Sequence, residues 1–170
     1  MYHSSESKGK GENMIFYLFW TLVFIAAICC AYLISAADFR RRIIPDAYLV
    51  PLFLIGLLTV NFFPYWICTV GDSVIGAILG YALGAIIGSV FDYIGQKKSP
   101  KSPAPIGMGD IKLLATGGIW LGTTGLAIAL VFSCVFGYLW GIYKKQHFIP
   151  FAPFFAMGAI LSLIITAFLI

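Results

Sequence analysis

The chain has 170 residues, of which 61% are hydrophobic and only 11% are charged, and its mean hydropathy is +0.95. Soluble domains are about 45–50% apolar and about 25% charged, so this composition excludes an ordinary soluble protein and indicates one compact membrane domain. The net charge of +4 does not indicate nucleic-acid binding, because the basic residues lie in short segments between apolar runs, where they act as topology signals.

Six apolar runs predict an all-α polytopic membrane protein with six transmembrane helices. These runs cover residues 14–37, 47–63, 73–94, 110–122, 126–143 and 151–170. The fourth run has only 13 residues, about 20 Å of helix. We therefore expect its polar, glycine-rich start to lie below the membrane surface and to line a cavity. Residues 1–13 are polar and aperiodic, which predicts a flexible tail before a transmembrane domain over residues 14–170.

The positions of Lys and Arg predict how the chain crosses the membrane. Nine of the 11 lie in the segments after the first, third and fifth runs when Lys112, at the start of the fourth run, is counted with the third segment, and the segments after the second and fourth runs contain none. The positive-inside rule places those three basic segments in the cytoplasm and both termini outside. Asp38 and Asp110 then lie on the same, cytoplasmic side, each at the edge of an apolar run.

The third run contains a regular pattern of glycines. Gly76, Gly80, Gly84 and Gly88 recur at every fourth position, which puts them on one helix face where another helix can approach closely. We expect the third helix to lie centrally in the bundle.

Asp38 and Asp110 are the candidate catalytic residues, because an acid at the edge of a membrane span is costly and indicates a function. Two carboxylates that share a poorly hydrated site cannot both ionise easily, so one retains its proton. The ionised carboxylate can activate a water molecule, and the protonated one can donate to a carbonyl oxygen, as peptide hydrolysis requires. Asp110 opens a helix and Asp38 closes one, so the helix dipoles predict that Asp110 is the ionised partner.

The other acids have simpler interpretations. Asp46 follows Pro45 at a helix start and Asp72 precedes the third run, so both are interpreted as helix caps. Asp92 is expected to pair with a lysine of the loop that follows it, and a role as a third acid of the site is the alternative.

Metal and cofactor sites are not expected. The four cysteines form no CxxC pair, and we interpret them as small apolar residues. They are Cys29, Cys30, Cys68 and Cys134. The sequence therefore predicts neither a zinc site nor a disulfide framework.

Three segments resemble the motifs of the type IV prepilin peptidases. The segment from Asp38 to Pro45 is similar to the first aspartate motif of that family, an Asp seven residues before Pro. Gly107-Met-Gly-Asp110-Ile-Lys112 is similar to its GxGD motif, including the Lys two residues after the Asp. The segment 149–153, with the small-residue helix after it, is similar to the last span. The resemblance covers all six apolar runs.

The resemblance implies a membrane aspartyl endopeptidase that removes the leader of prepilins or prepilin-like proteins at the cytoplasmic face of the bacterial inner membrane. Asp38 and Asp110 would be catalytic. The residues that would support the site are Gly107, Gly109, Lys112 and Pro45. The partners would be the lipid bilayer and a substrate with a basic leader and an apolar helix. Larger members carry an N-terminal region with paired CxxC motifs that accompanies N-methylation, so we expect a short form without methyltransferase activity here.

Two other functions stay open at this point. A small transporter or channel would favour polar groups at the membrane midplane, whereas these runs contain only scattered Ser and Thr and one Asn, Asn61. A catalytically silent pilus-assembly factor on the same fold would share the motifs, and the sequence retains both acids.

Overall fold

The computed structural model describes residues 3–64, 68–98, 107–145 and 149–169. This part of the chain is entirely helical apart from its connections, as the long apolar runs predicted. Its helices are α1 (His3–Arg41), α2 (Asp46–Phe62), α3 (Val70–Lys98), α4 (Met108–Lys144) and α5 (Phe151–Leu169). α1 begins inside the segment 1–13, whose mobility stays a prediction.

The prediction of six transmembrane helices was wrong. In the described part of the chain, four helices are long and apolar enough to cross a membrane, and the protein is an integral membrane protein. These candidate spans are Met14–Arg41, Val70–Ile94, Met108–Lys144 and Phe151–Phe168. α2 has 17 residues, about 25 Å of helix, which is less than the hydrocarbon core of about 30 Å. The runs predicted as the fourth and fifth spans belong to one element, α4.

α4 changes direction at a kink at Gly122, inside the stretch where the sequence predicted a break between two spans. Gly122 has φ 67° and ψ −170°, a backbone conformation that glycine adopts without the steric penalty of a Cβ. The carboxylate of Asp72 in α3 accepts hydrogen bonds from the backbone N–H and the hydroxyl of Thr123. Asp72 therefore links α3 to the kink. Its carboxylate accepts hydrogen bonds from α4 instead of capping α3, the role that the sequence had predicted.

The glycine face of α3 packs directly on the first part of α4. A Cβ at Gly76 would lie 2.7 Å from the carbonyl oxygen of Gly118, and a Cβ at Gly80 would lie 2.5 Å from that of Leu114. The two backbones are therefore in contact, as the spacing of four residues predicted. The central position expected for α3 was wrong, because α4 contacts α2, α3 and α5, whereas α3 contacts α4 and only slightly α2.

An apolar core joins the remaining helices. Ile34 of α1, Leu49 of α2, Leu113 and Leu126 of α4 and Phe155 of α5 are all buried in one cluster. Many other large apolar side chains are exposed, which suits helices whose outer faces meet lipid instead of water. α1 and α5 pack against each other, and this contact brings the end of α1 to the beginning of α5.

Candidate active site

Asp38 lies in the last turn of α1, and its side chain is buried, with only 5% of the residue exposed. Its Oδ2 accepts a hydrogen bond of 2.8 Å from the backbone N–H of Ala152, and the N–H of Phe151 also interacts with the carboxylate. Phe151 and Ala152 are the first two residues of α5. Because the first N–H groups of a helix have no partner inside it, Asp38 satisfies donors that α5 leaves open.

The end of α1 is fixed by Arg42. This residue has a φ of 55°, and its N–H donates to the carbonyl oxygen of Asp38 at 2.9 Å, which is a common way for a helix to end. The charge of Arg42 is close enough to act on the Asp38 carboxylate. The chain then reaches Pro45, which has φ −72° and ψ 126° and precedes the first residue of α2.

Asp110 lies in the first turn of α4, which begins at Met108. The N–H of Gly107 donates to Oδ2 of Asp110 at 3.1 Å, and the N–H of Asp110 donates to the carbonyl oxygen of Gly107 at 3.0 Å. The half-buried carboxylate thus folds back over the helix start, where the unpaired N–H groups favour a negative charge.

Gly109 brings the start of α4 against the segment that follows α1. A Cβ at Gly109 would lie 2.8 Å from Cβ of Ile44, so a larger residue would separate the two segments. In this arrangement the carboxylate of Asp38 lies within electrostatic range of Asp110. The structure therefore brings the two predicted acids together, and their catalytic role stays a prediction.

Lys112, which the resemblance named as a supporting residue of the site, pairs with Asp46 and not with Asp110. Its Nζ lies 2.7 Å from Oδ2 of Asp46, the first residue of α2, in a partly exposed ion pair. Asp46 therefore does more than complement the dipole of its own helix. The pair connects the start of α2 to the start of α4, beside the two candidate acids.

The remaining predicted groups add little to this site. Asp92 is half-buried, but the structure describes only the backbone of Lys97 and Lys98, so the pairing of Asp92 with one of these lysines stays a prediction. The four cysteines are free. Within the described ranges no three His, Cys, Asp or Glu side chains are grouped so that they could hold a metal ion.

Sequence reasoning missed the N-terminus of α5 as a part of the site. The signal was present in the segment 149–153, because Pro150 and Pro153 flank the two residues whose N–H groups meet Asp38. Proline is favoured at the beginning of a helix, where its missing N–H costs no hydrogen bond. The segment therefore marked a helix start, but the sequence did not indicate which side chain meets that start.

The comparison with known proteins agrees with these motifs. The chain matches the Type IV leader peptidase family over residues 23–142. It is 32% identical over 132 residues to a prepilin leader peptidase/N-methyltransferase of Pseudomonas putida, covering 74% of this chain and 43% of that protein. Proteins of the same name from Aeromonas salmonicida strain A449 and Escherichia coli K12 are also similar. The first is 31% identical over 163 residues, with coverage of 92% and 50%, and the second is 29% identical over 142 residues, with coverage of 79% and 59%.

The chain spans about half the length of these curated relatives. The expectation of a short form without methyltransferase activity stays a prediction. No solved structure matches the chain significantly. The family match covers more than half of the sequence and includes both Asp38 and Asp110. The chain therefore belongs to the type IV leader peptidase family, as its motifs predicted.

Proposed function

We propose that this protein is a membrane aspartyl endopeptidase that removes the leader peptide from prepilins or prepilin-like proteins, with Asp38 and Asp110 as its catalytic residues. One observation carries the proposal. A carboxylate at the end of α1 and a carboxylate at the start of α4 lie close enough for the charge of one to act on the other. Family membership and the names of the relatives support prepilin leaders as the substrate class.

The hydrogen bonds suggest how the two acids divide the reaction. Asp38 accepts the N–H of Ala152 at 2.8 Å, at the start of α5, where the first N–H groups have no partner inside the helix. Asp110 accepts one backbone N–H, that of Gly107. Asp38 is therefore assigned as the ionised partner and Asp110 as the protonated one. This assignment reverses the one expected from the helix ends, because the start of α5 offsets the unfavourable end of α1.

The proposed reaction follows from this division. Asp38 removes a proton from a water molecule as its oxygen attacks the carbonyl carbon of the scissile peptide bond, and Asp110 donates its proton to the carbonyl oxygen. The resulting tetrahedral intermediate breaks when the proton on Asp38 passes to the leaving nitrogen. Asp110 regains a proton from the intermediate as the new carboxyl group forms, so both residues return to their initial states.

The distribution of basic residues supports a cytoplasmic position for this site in the inner membrane. The end of α1 and the start of α4, where the two acids lie, carry Lys or Arg, and so does the end of α4, whose Trp140 packs against Phe39 next to Asp38. These residues are Arg40, Arg41, Arg42, Lys112, Lys144 and Lys145. A cytoplasmic surface is enriched in such residues, and a prepilin leader would be presented on that side.

Replacing each acid by asparagine tests the proposal. Asparagine keeps an acceptor oxygen for the N–H groups of Ala152 and Gly107, so we expect Asp38→Asn and Asp110→Asn to fold but to cleave about 10²–10⁴-fold more slowly. Leader removal from a prepilin precursor in membranes is measured by gel shift, and the cut site by mass spectrometry. Thermal melting in detergent confirms the folding of each variant.

Asp92→Asn is the matched control, because its carboxylate belongs to the end of α3 and its expected role is an ion pair. We expect this variant to cleave at nearly the wild-type rate, and a large loss would instead make Asp92 a third acid of the site. Near-wild-type cleavage by either Asp38→Asn or Asp110→Asn would contradict the dyad. A wild-type protein that binds the precursor without cleaving it would indicate a silent assembly factor.

A further inference from the structure

An apolar cavity of about 520 Å³ lies between α1, α4 and α5. Its walls are formed by α1 between Phe24 and Ser35, by α4 between Leu113 and Leu121, and by α5 between Ala152 and Leu163. The hydroxyls of Ser35 and Thr116, which also line it, are bonded to carbonyl oxygens of their own helices at 2.9 Å. The cavity therefore presents an apolar surface along three candidate membrane spans.

One end of this cavity lies at the two acids. Ala152 lines the cavity and also donates its N–H to Asp38, while Ser35 lies about one turn before Asp38 on α1. Leu113 lies about one turn after Asp110 on α4. From Ser35 the cavity follows α1 back to Phe24, a distance of about 16 Å at 1.5 Å per residue.

Small residues of α1 and α5 line the cavity, so their side chains project only a short way into it. On α1, Ala27, Ala31 and Ser35 recur at every fourth position, and on α5, Ala152 and Ala156 have the same spacing. Such spacing lets a further helix approach closely. In the described part of the chain, the backbones of α1 and α4 do not approach each other, and the cavity occupies the space between them.

We propose that this cavity receives one face of an apolar helical segment of the substrate, next to its scissile bond. This proposal rests on the proposed function. When the scissile bond of a peptide lies between Asp38 and Asp110, the cavity begins directly beside that bond. At membrane depth the segment must satisfy its own backbone N–H and C=O groups, so it is helical. The apolar lining selects apolar side chains over charged ones.

Cross-linking to a bound precursor tests this position. Tyr32 lines the cavity and is 71% exposed, whereas Tyr138 is 68% exposed on α4 and lies away from the cavity. Each is replaced by p-benzoylphenylalanine in the Asp110→Asn protein, which binds without cleaving, in liposomes that contain a prepilin precursor peptide. We expect residue 32 to cross-link to the apolar segment of the peptide, mapped by mass spectrometry, and residue 138 to give at least about tenfold less, as expected for 1.4 kcal/mol of preference.

Equal yields at both positions, or cross-links from residue 32 to lipid alone, would overturn the proposal and indicate that an acyl chain fills the cavity. Because Asp110→Asn is expected to cleave slowly, the precursor stays intact during cross-linking, and the result reports where it binds; mass spectrometry verifies that the cross-linked precursor is uncut.

Filling the cavity provides the kinetic test. Ala31→Phe and Ala156→Phe place a large side chain in the space, and Ala127→Phe makes the same change at an exposed position of α4 away from it. We expect the two filling variants to lower kcat/KM for the full precursor by about tenfold or more, or by about 1.4 kcal/mol of lost binding. Ala127→Phe should cleave as the wild type does.

A precursor without its apolar segment separates the two proposals. The filling variants should cleave this truncated peptide at the wild-type rate, because it does not enter the cavity. If the wild type cleaves neither peptide, the proposed function fails. If the wild type cleaves the full precursor and the well-folded filling variants cleave it equally fast, only the cavity proposal fails. Melting in detergent identifies any variant that does not fold, and the cross-linking result then decides.

Discussion

Replacing Gly80 by alanine tests whether the contact between α3 and α4 positions Asp110. A Cβ at Gly80 would lie 2.5 Å from the carbonyl oxygen and 2.8 Å from the carbonyl carbon of Leu114. Both are backbone atoms that cannot rotate away, so α3 and α4 must separate. Leu114 lies one turn after Asp110, so the separation reaches the turn of α4 that holds the carboxylate.

The size of the effect follows from two opposing contributions. Inserting a methyl group into a close helix contact costs about 1–3 kcal/mol, whereas alanine in place of glycine favours the helix itself by about 0.5–1 kcal/mol. With mid-range values of about 2 and about 0.75 kcal/mol, we expect the free energy of unfolding of Gly80→Ala to fall by about 1 kcal/mol, which corresponds to a melting temperature about 2–4 °C lower for a chain of this length.

Gly71→Ala is the matched control in the same helix. A Cβ there would have Thr69 Oγ1 as its nearest described neighbour, at 4.0 Å, which is ordinary contact. This variant should melt at the wild-type temperature or slightly above it. Both proteins are melted in the same detergent and tested for leader removal, and Gly80→Ala should lose activity as well. An unchanged melting temperature for Gly80→Ala, or the same loss in Gly71→Ala, would refute the reasoning.

Two further predictions concern the contacts of α4 with α2 and with α3. Lys112→Glu should lower cleavage by up to about fivefold, because the pair with Asp46 is exposed and worth at most about 1 kcal/mol, and adding Asp46→Lys should restore most of the activity in the leader-removal assay. Failure of the double variant to recover would show that the pair does not position the helix starts. Gly122→Ala should lower the melting temperature more than Thr123→Val does. The alanine would have a positive φ and would meet the carboxylate of Asp72, whereas the valine removes one hydrogen-bond donor.

The meeting of Asp38 and Asp110 could be predicted from the sequence because it depends on features that are local in the chain. The Lys and Arg distribution put both acids on one side, and each lies at the edge of its own apolar run. Gly107 and Gly109 also mark the backbone that surrounds Asp110, since one donates its N–H and the other leaves room for Ile44.

The number of spans could not be predicted because it depends on a distant contact. Counting apolar runs treats the polar residues after Gly122 as a loop, since their backbone groups need partners. Asp72 accepts the N–H of Thr123 from 51 residues away, and the helical stretches on the two sides of Gly122 join at a kink within one element. The ion pair of Lys112 with Asp46 joins residues 66 positions apart, and for the same reason the sequence did not indicate it.

The environment of Asp38 shows why the ionisation of an acid at a helix end cannot be inferred from that helix alone. The dipole of α1 disfavours a carboxylate in its last turn, and sequence reasoning followed that effect to a protonated Asp38. The packing of α1 on α5 brings a second helix end of opposite sign to the same carboxylate, with a hydrogen bond of 2.8 Å. A hydrogen bond to a charged group contributes about 1.5–3 kcal/mol, which exceeds the dipole contribution of about 0.3–1 kcal/mol. The start of α5 therefore offsets the unfavourable dipole at the end of α1, a contribution that reasoning from α1 alone leaves out.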